Sequence, residues 1–114
     1  MKVKSYTNIE QSRKLAEILP LESADMCYIQ DKPNIGFLQE EYKEFGDTIL
    51  QDYYPCWSLS ALLNALPNNC GVNKEEDNFV ASYLISDECG AYTKTNPIDA
   101  CVEMIIHLHE DKML

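Results

Sequence analysis

Arginine is nearly missing from this chain. Arg13 is its one representative, and Lys and Arg together number 9 against 19 Asp and Glu, a formal net charge of −10 over 114 residues. A surface with that balance repels phosphate and lacks the guanidinium forks that clamp phosphates or read base edges. Direct nucleic-acid binding and anionic-membrane binding are therefore not expected. Glycine is equally sparse, with Gly36, Gly46, Gly71 and Gly90 standing far apart, so no Gly-rich phosphate loop can form. No apolar run approaches the roughly 18 to 20 residues needed to cross a bilayer, and Met1–Asn8 lacks the apolar middle of a secretory signal. A cytoplasmic protein is the expectation.

Metal and thiol signatures are missing as well. The 5 cysteines, Cys27, Cys56, Cys70, Cys89 and Cys101, are odd in number and contain no CxxC pair. A disulfide framework or a zinc site normally shows paired spacing, so reduced and mostly buried thiols are the better reading. Only 2 histidines exist, His107 and His109. On a helix they diverge by about 200°, too far to chelate one ion from a single face. The acidic run Glu75, Glu76, Asp77 has neither the spacing nor the glycine of a calcium loop. No metal and no cofactor is expected.

What is present is enough apolar residue, 46% of the chain, to bury a core, and 114 residues is one domain's worth. A single domain over 1–114 follows. Thr7 and Glu10 have the spacing of a capping box, and Pro20 closes a helix over about Asn8–Leu19 with Ile9, Leu15, Ala16, Ile18 and Leu19 inward. Met26–Ile29 reads as a short strand, ended by the turn composition Asp31–Asn34. Signals conflict over 35–54. Ile35–Leu38 suits a strand, while Phe37, Leu38, Glu41, Tyr42 and Phe45 share a helical face; a short strand or loop running into a helical turn is the reading taken.

A central helix is expected between Pro55 and Pro67, with Pro55 in its first turn and Leu59, Leu62, Leu63 and Leu66 along one face. Residues 68–78 have loop composition and are expected to be the most mobile part. Phe79–Ser86 alternates as a strand, turns at Asp87–Gly90 and returns along Ala91–Thr95. Asn96 caps a last helix with Pro97 at its first position, burying Ile98, Cys101, Val102, Ile105 and Leu108 with Met104 and Ile106 beside them. The expected class is α+β, about three helices packed on a small antiparallel sheet that includes a hairpin near 79–95.

Three pieces, Lys14–Met26, Pro55–Leu63 and Asn96–Met104, resemble a family of short uncharacterised bacterial proteins, often associated with prophages or other mobile elements. The likeness covers about a third of the positions in the same order. That family supplies no activity or catalytic residue to carry over. Cys56 stands where its members more often have Ala, which weakens a catalytic duty for this thiol.

Cys56 is nonetheless the best candidate nucleophile on physical grounds, because a helix N-terminus favours a thiolate. It would need His107 or His109 as base, and the opposing reading is a small packing residue. His107 with Glu103 is an i, i+4 pair that reads as a surface hydrogen bond, and His109 as a boundary residue. Tyr53, Tyr54 and Trp57 gather beside Asp47 and Asp52, and aromatics with a polar tip are enriched at interface centres. These five residues are the candidate partner-binding site, with core packing the competing role for Trp57. The functional expectation is a small acidic protein-interaction or regulatory module without enzymatic activity, acting on a protein partner or as a homo-oligomer. A DNA-mimicking inhibitor is the alternative, and a small enzyme using Cys56 or the C-terminal histidines is a third reading.

Overall fold

Asn8 opens the first helix of the computed structural model, which describes residues 4–29, 32–35 and 53–114. Helix α1 spans Ile9–Ala16. Its cap is shifted by one residue from the expected Thr7/Glu10 pair: Asn8 Oδ1 accepts from Gln11 N at 2.7 Å, and Asn8 N donates to Gln11 Oε1 at 3.0 Å. Thr7 cannot cap because its hydroxyl is fully buried against Ser12 and Cys56. The buried side of α1 is also narrower than expected, with Ser12 and Leu15 inward and Ala16 exposed. Beyond the helix, Leu19 is buried and Pro20 leads into a single 3-10 turn, Leu21–Ser23.

Strand β1 (Met26–Ile29) lies between β2 (Lys32–Ile35) and β3 (Tyr53–Cys56) in an antiparallel sheet of order β2-β1-β3. Two expectations are corrected here. Lys32–Asn34 is strand rather than turn, and Pro55 belongs to β3 rather than to a helical first turn. Among the described residues both prolines sit on edge strands, where a missing N–H removes no inner ladder bond; this makes the strand assignment compatible with proline. Gly36 to Asp52, including the strand-or-helix alternative for that stretch, lies outside the described residues.

Helix α2 is therefore short, Leu59–Ala65, and starts from Ser58, whose Oγ accepts from Ala61 N at 3.2 Å. Asp25 holds that cap by accepting from Ser58 N at 2.9 Å and from Ser58 Oγ at 2.5 Å. The expected leucine face is kept in part. Leu62 is fully buried beside Ala61, and Leu59 and Leu66 pack against the same core, but Leu63 is 41% exposed and Leu66 has left the helix with an extended backbone.

The stretch read as a mobile loop is largely strand β4 (Cys70–Glu75), paired antiparallel with β5 (Asn78–Ile85), which pairs in turn with β6 (Glu88–Lys94). The β5–β6 turn is two residues, Ser86 and Asp87, half the length of the expected Asp87–Gly90 and starting one position earlier. Helix α3 (Pro97–Glu110) follows as expected, with Asn96 Oδ1 accepting from Asp99 N at 2.8 Å and Pro97 in the first turn.

α3 is the centre of the molecule. Ile98, Cys101, Val102 and Ile105 join Leu15 of α1, Trp57 just beyond β3 and Leu62 of α2, while Ala100, Met104 and Leu108 meet Ala81, Tyr83 and Tyr92 on the β4-β5-β6 sheet. A helix buried on two sides needs an apolar girth wider than one stripe, which is why Met104 broadens it. A third cluster, Met26, Tyr28 and Cys56, packs with Tyr6, Ile9 and Tyr54 on the first sheet. The architecture is α+β, with three α-helices and two three-stranded antiparallel sheets among the described residues.

Candidate functional site

Cys56 is fully buried and ends β3, two residues before the Ser58 cap. Its thiol donates to the Thr7 carbonyl at 3.5 Å and accepts from Thr7 Oγ1 at 3.6 Å. Burial pushes the thiol up, partly offset by the Thr7 and Ser12 hydroxyls. Burial shields this thiol and its hydrogen bonds go to Thr7, contacts that suit a packing residue, and the same burial disfavours the thiolate that a nucleophile needs. Its surroundings form a pin. Thr7 Oγ1 pairs with Ser12 Oγ at 2.8 Å and accepts from Trp57 N at 3.2 Å, while Tyr28 OH donates to the Thr7 carbonyl at 2.6 Å. Burial, then the neighbouring Cys56 and Tyr6, push the Tyr28 phenol up to about 12.

Among the described residues neither histidine is bonded to a thiol. His107 lies 3.2 Å from Glu103 Oε1 and stacks on Tyr92 with ring centroids 4.9 Å apart, as the i, i+4 spacing suggested for the glutamate. His109 is exposed rather than at a boundary. Among the described residues no group of three or more His, Cys, Asp or Glu is placed to hold a metal ion, and no helix is long and apolar enough to cross a membrane.

The aromatic corner comes apart on inspection. Trp57 is fully buried, its indole N–H donating to Ser23 Oγ at 2.9 Å, so it presents no surface to a partner. Tyr54 is partly buried; Arg13 donates to its hydroxyl at 2.9 Å and holds a guanidinium 4.8 Å over its ring. Tyr53 has its backbone in β3, whereas its side chain, Asp47 and Asp52 lie outside the described residues. A shallow cleft of about 520 Å³ borders Asp25, Ser60, Leu63 and Asn64, but the Asp25 carboxylate is committed to the Ser58 cap.

A different surface stands out once the strands are placed. Ala81, Tyr83 and Ile85 of β5 face α3, so Val80, Ser82 and Leu84 face outward, with Gly71 and Asn73 of β4 and Cys89, Ala91 and Thr93 of β6 beside them in register. Leu84 is 58% exposed, and Ala91, Cys89 and Thr93 are exposed as well. None of these eight outward side chains is charged, in a chain of net charge −10. Charge lies at the two ends: Glu75 closing β4 with Glu76 and Asp77 in the turn after it and Lys74 and Lys94 alongside, and Asp87 and Glu88 at the β5–β6 turn. At the first end, a cleft of about 570 Å³ is lined by Glu75, Glu76, Asn78, Val80 and Thr93.

Sequence reasoning missed this face because β4 was assigned to a loop. Its signal was there: Glu76 and Asp77 separate two runs that pair residue for residue, with Cys70 and Val72 inward and Gly71 and Asn73 outward. No protein-family profile, no curated protein and no solved structure matches the chain.

Proposed function

We propose that this protein is a non-enzymatic interaction module that docks a partner protein on the outer face of the β4-β5-β6 sheet. The observation carrying this is the uncharged, open face between two acidic ends in a chain of net charge −10. An apolar centre with acidic rims is complementary to a partner patch with an apolar centre and Lys or Arg around it. The DNA-mimic reading needs carboxylates along one face, whereas among the described residues they are spread over α1, the 3-10 turn and Asp25 after it, α3 and both ends of the β4-β5-β6 sheet. A cytoplasmic setting, and the likeness to short prophage-associated proteins, suit a factor that works by occupying another protein.

Cys89 gives the test a handle, since it lies on the face and is exposed while Cys27, Cys56 and Cys101 are buried. A photo-crosslinker attached there is expected to trap a host protein, which is then purified and titrated calorimetrically against the native chain and Leu84→Lys. Loss of binding in the variant at an unchanged unfolding midpoint is the expected result. Equal binding by both chains, or no adduct from host extract, would refute the docking face.

A further inference from the structure

We infer that two copies of this chain pair through the open edge of β6, antiparallel about a two-fold axis at Ala91, so that their β4-β5-β6 sheets join into one. This goes beyond the docking reading above, because edge pairing leaves the outer face uncovered. β5 occupies one edge of β6, and among the described residues nothing pairs with the other. The strand Glu88–Lys94 contains no proline, and its register runs unbroken from Ile85↔Glu88 to Phe79↔Lys94. Which backbone groups are free follows from the turn. Ile85 and Glu88 close a two-residue connection and so form a hydrogen-bonded pair. Alternation along the ladder then turns the N–H and C=O of Glu88, Gly90, Tyr92 and Lys94 toward β5, and those of Cys89, Ala91 and Thr93 toward the open edge.

Charge identifies the occupant as a second copy. Glu88 and Lys94 are exposed, and neither has an ion-pair partner among the described residues. They stand equally far from Ala91 on either side, so the two-fold sets Glu88 of each copy opposite Lys94 of the other. The same register sets Cys89 opposite Thr93, Gly90 opposite Tyr92 and Ala91 opposite itself, so no two large side chains are opposed. The free backbone groups of Cys89, Ala91 and Thr93 meet at the hydrogen-bonded positions. Glu88 and Lys94 meet at a non-hydrogen-bonded position, where side chains approach most closely. A lysine on an edge strand ordinarily discourages pairing, but here each copy supplies the counter-charge.

The surrounding charges fit the same register. Lys74 lies in the row of Lys94 across Phe79 and adds to the positive side, while Asp87 adjoins Glu88 on the negative side. Glu75, Glu76 and Asp77 close the turn between β4 and β5, at least one strand spacing of about 4.8 Å further from the seam than Lys94. On the helix side α3 lies over β5 and β6, which by that spacing puts the two α3 axes about 10 Å apart, an ordinary packing distance. Glu103 and Glu110 approach their counterparts there with His107 between them, so this side opposes association and confines it to high protein concentration. The other edges lack the self-complementarity. β2 and β3 carry Pro33 and Pro55. In β4, Lys74 and Glu75 are neighbours, and antiparallel self-pairing opposes only residues an even number of positions apart.

Sedimentation of the full chain from about 10 μM to about 1 mM is expected to show a reversible monomer–dimer equilibrium. Charge reversal reads the register: Glu88→Lys or Lys94→Glu alone opposes like charges at both ends of the seam and is expected to weaken association about tenfold, and the double reversal to restore it. A chain that stays monomeric throughout, or a double reversal that rescues nothing, would overturn the inference. Ala91→Cys in a Cys89→Ser background is expected to form an intermolecular disulfide on air oxidation, whereas native Cys89 lies about 14 Å from its counterpart along the strands and should not. Crosslinking by native Cys89 alone would place the seam elsewhere and overturn the pairing. Leu84→Lys is expected to leave association unchanged, so the edge and the docking face fail separately; a monomeric Leu84→Lys would move the second copy to the outer face and refute the edge.

Discussion

Ser86 and Asp87 offer a direct test of the backbone physics beneath the docking face. They form a two-residue connection between the paired Ile85 and Glu88, and both adopt left-handed backbones, with φ of 48° and 69°. Two positive φ values in a tight hairpin are the signature of a type I′ turn, which favours Asn-Gly because other L-residues crowd Cβ against the next carbonyl. Holding a non-glycine residue there costs about 1 kcal/mol, and Asn relieves part of it at position 86 and Gly all of it at position 87. Glycine returns about 0.5 to 1 kcal/mol of that relief through the greater freedom of the unfolded chain. The double change Ser86→Asn, Asp87→Gly should therefore stabilise the fold by about 1 kcal/mol. At roughly 2.1 cal/mol/K of unfolding entropy per residue, that raises the thermal midpoint of a chain this size by about 4 °C. Calorimetry and urea titration measure it, with Asp87→Asn as control because it removes the same charge beside Glu88 without freeing the backbone. An unchanged midpoint in the double variant, or a control that produces the whole increase, would refute the strain argument.

Gly90 should behave in the opposite way. A Cβ built there meets Tyr83 Cε1 at 2.5 Å, the ring lying over the glycine across the strands, so Gly90→Ala is expected to destabilise by about 1 to 3 kcal/mol in urea titration. Asp99 provides a pH dependence. Burial alone would raise its carboxyl, but hydrogen bonds from Lys4, Gln11 and Asn96, together with the Lys4 charge, hold it below the ordinary value. A depressed folded-state pKa contributes stability that is present above the unfolded value of about 3.8 and is lost as pH falls through the lower folded value. Asp99→Asn should therefore flatten the acid limb of a stability–pH curve, and an unaltered limb would contradict the assignment. Thiol labelling of the native protein should modify Cys89 first and leave Cys56 and Cys101 untouched until unfolding, since burial raises both thiols and pushes Cys101 to about 12; mass mapping of the labelled sites reads it directly.

What could be read from the residues depended on whether one element alone decided their role. The closing helix was legible throughout because Asn96, Pro97 and Asp99 act within a single turn and its apolar spacing is local. β1 and β5 were legible from alternation and β-branched or aromatic content. Proline was the main source of error, since Pro33 suits a turn or an edge strand and Pro55 a helical first turn or an edge strand. Only the pairing Tyr28↔Pro33 and Cys27↔Pro55 decides between them. Thr7 failed similarly: its distance from Glu10 was right for a cap, but the Thr7 hydroxyl is bound to Ser12 and Cys56, the latter 49 positions away. β4 was hidden because its outward residues face neither core nor charge, so the strand lacks a strong apolar alternation. The docking face was lost with it.

The position of α3 explains why that face can be altered without unfolding the protein. This helix is buried on one side by α1, Trp57 and α2 and on the other by the inner face of the β4-β5-β6 sheet, and its own Ile105 and Met104 fill those two contacts. Truncating either to Ala would cost roughly 2 to 5 kcal/mol, a large share of a small domain's stability. The outward residues of the same sheet contribute little to that core, and Leu84 at 58% exposure gives up little buried area when changed. At Gly71 no atom lies within 4 Å of where a Cβ would stand, so the core does not constrain that position either. Unchanged stability with binding lost in Leu84→Lys is therefore the combination that a purely structural role for this face would not produce.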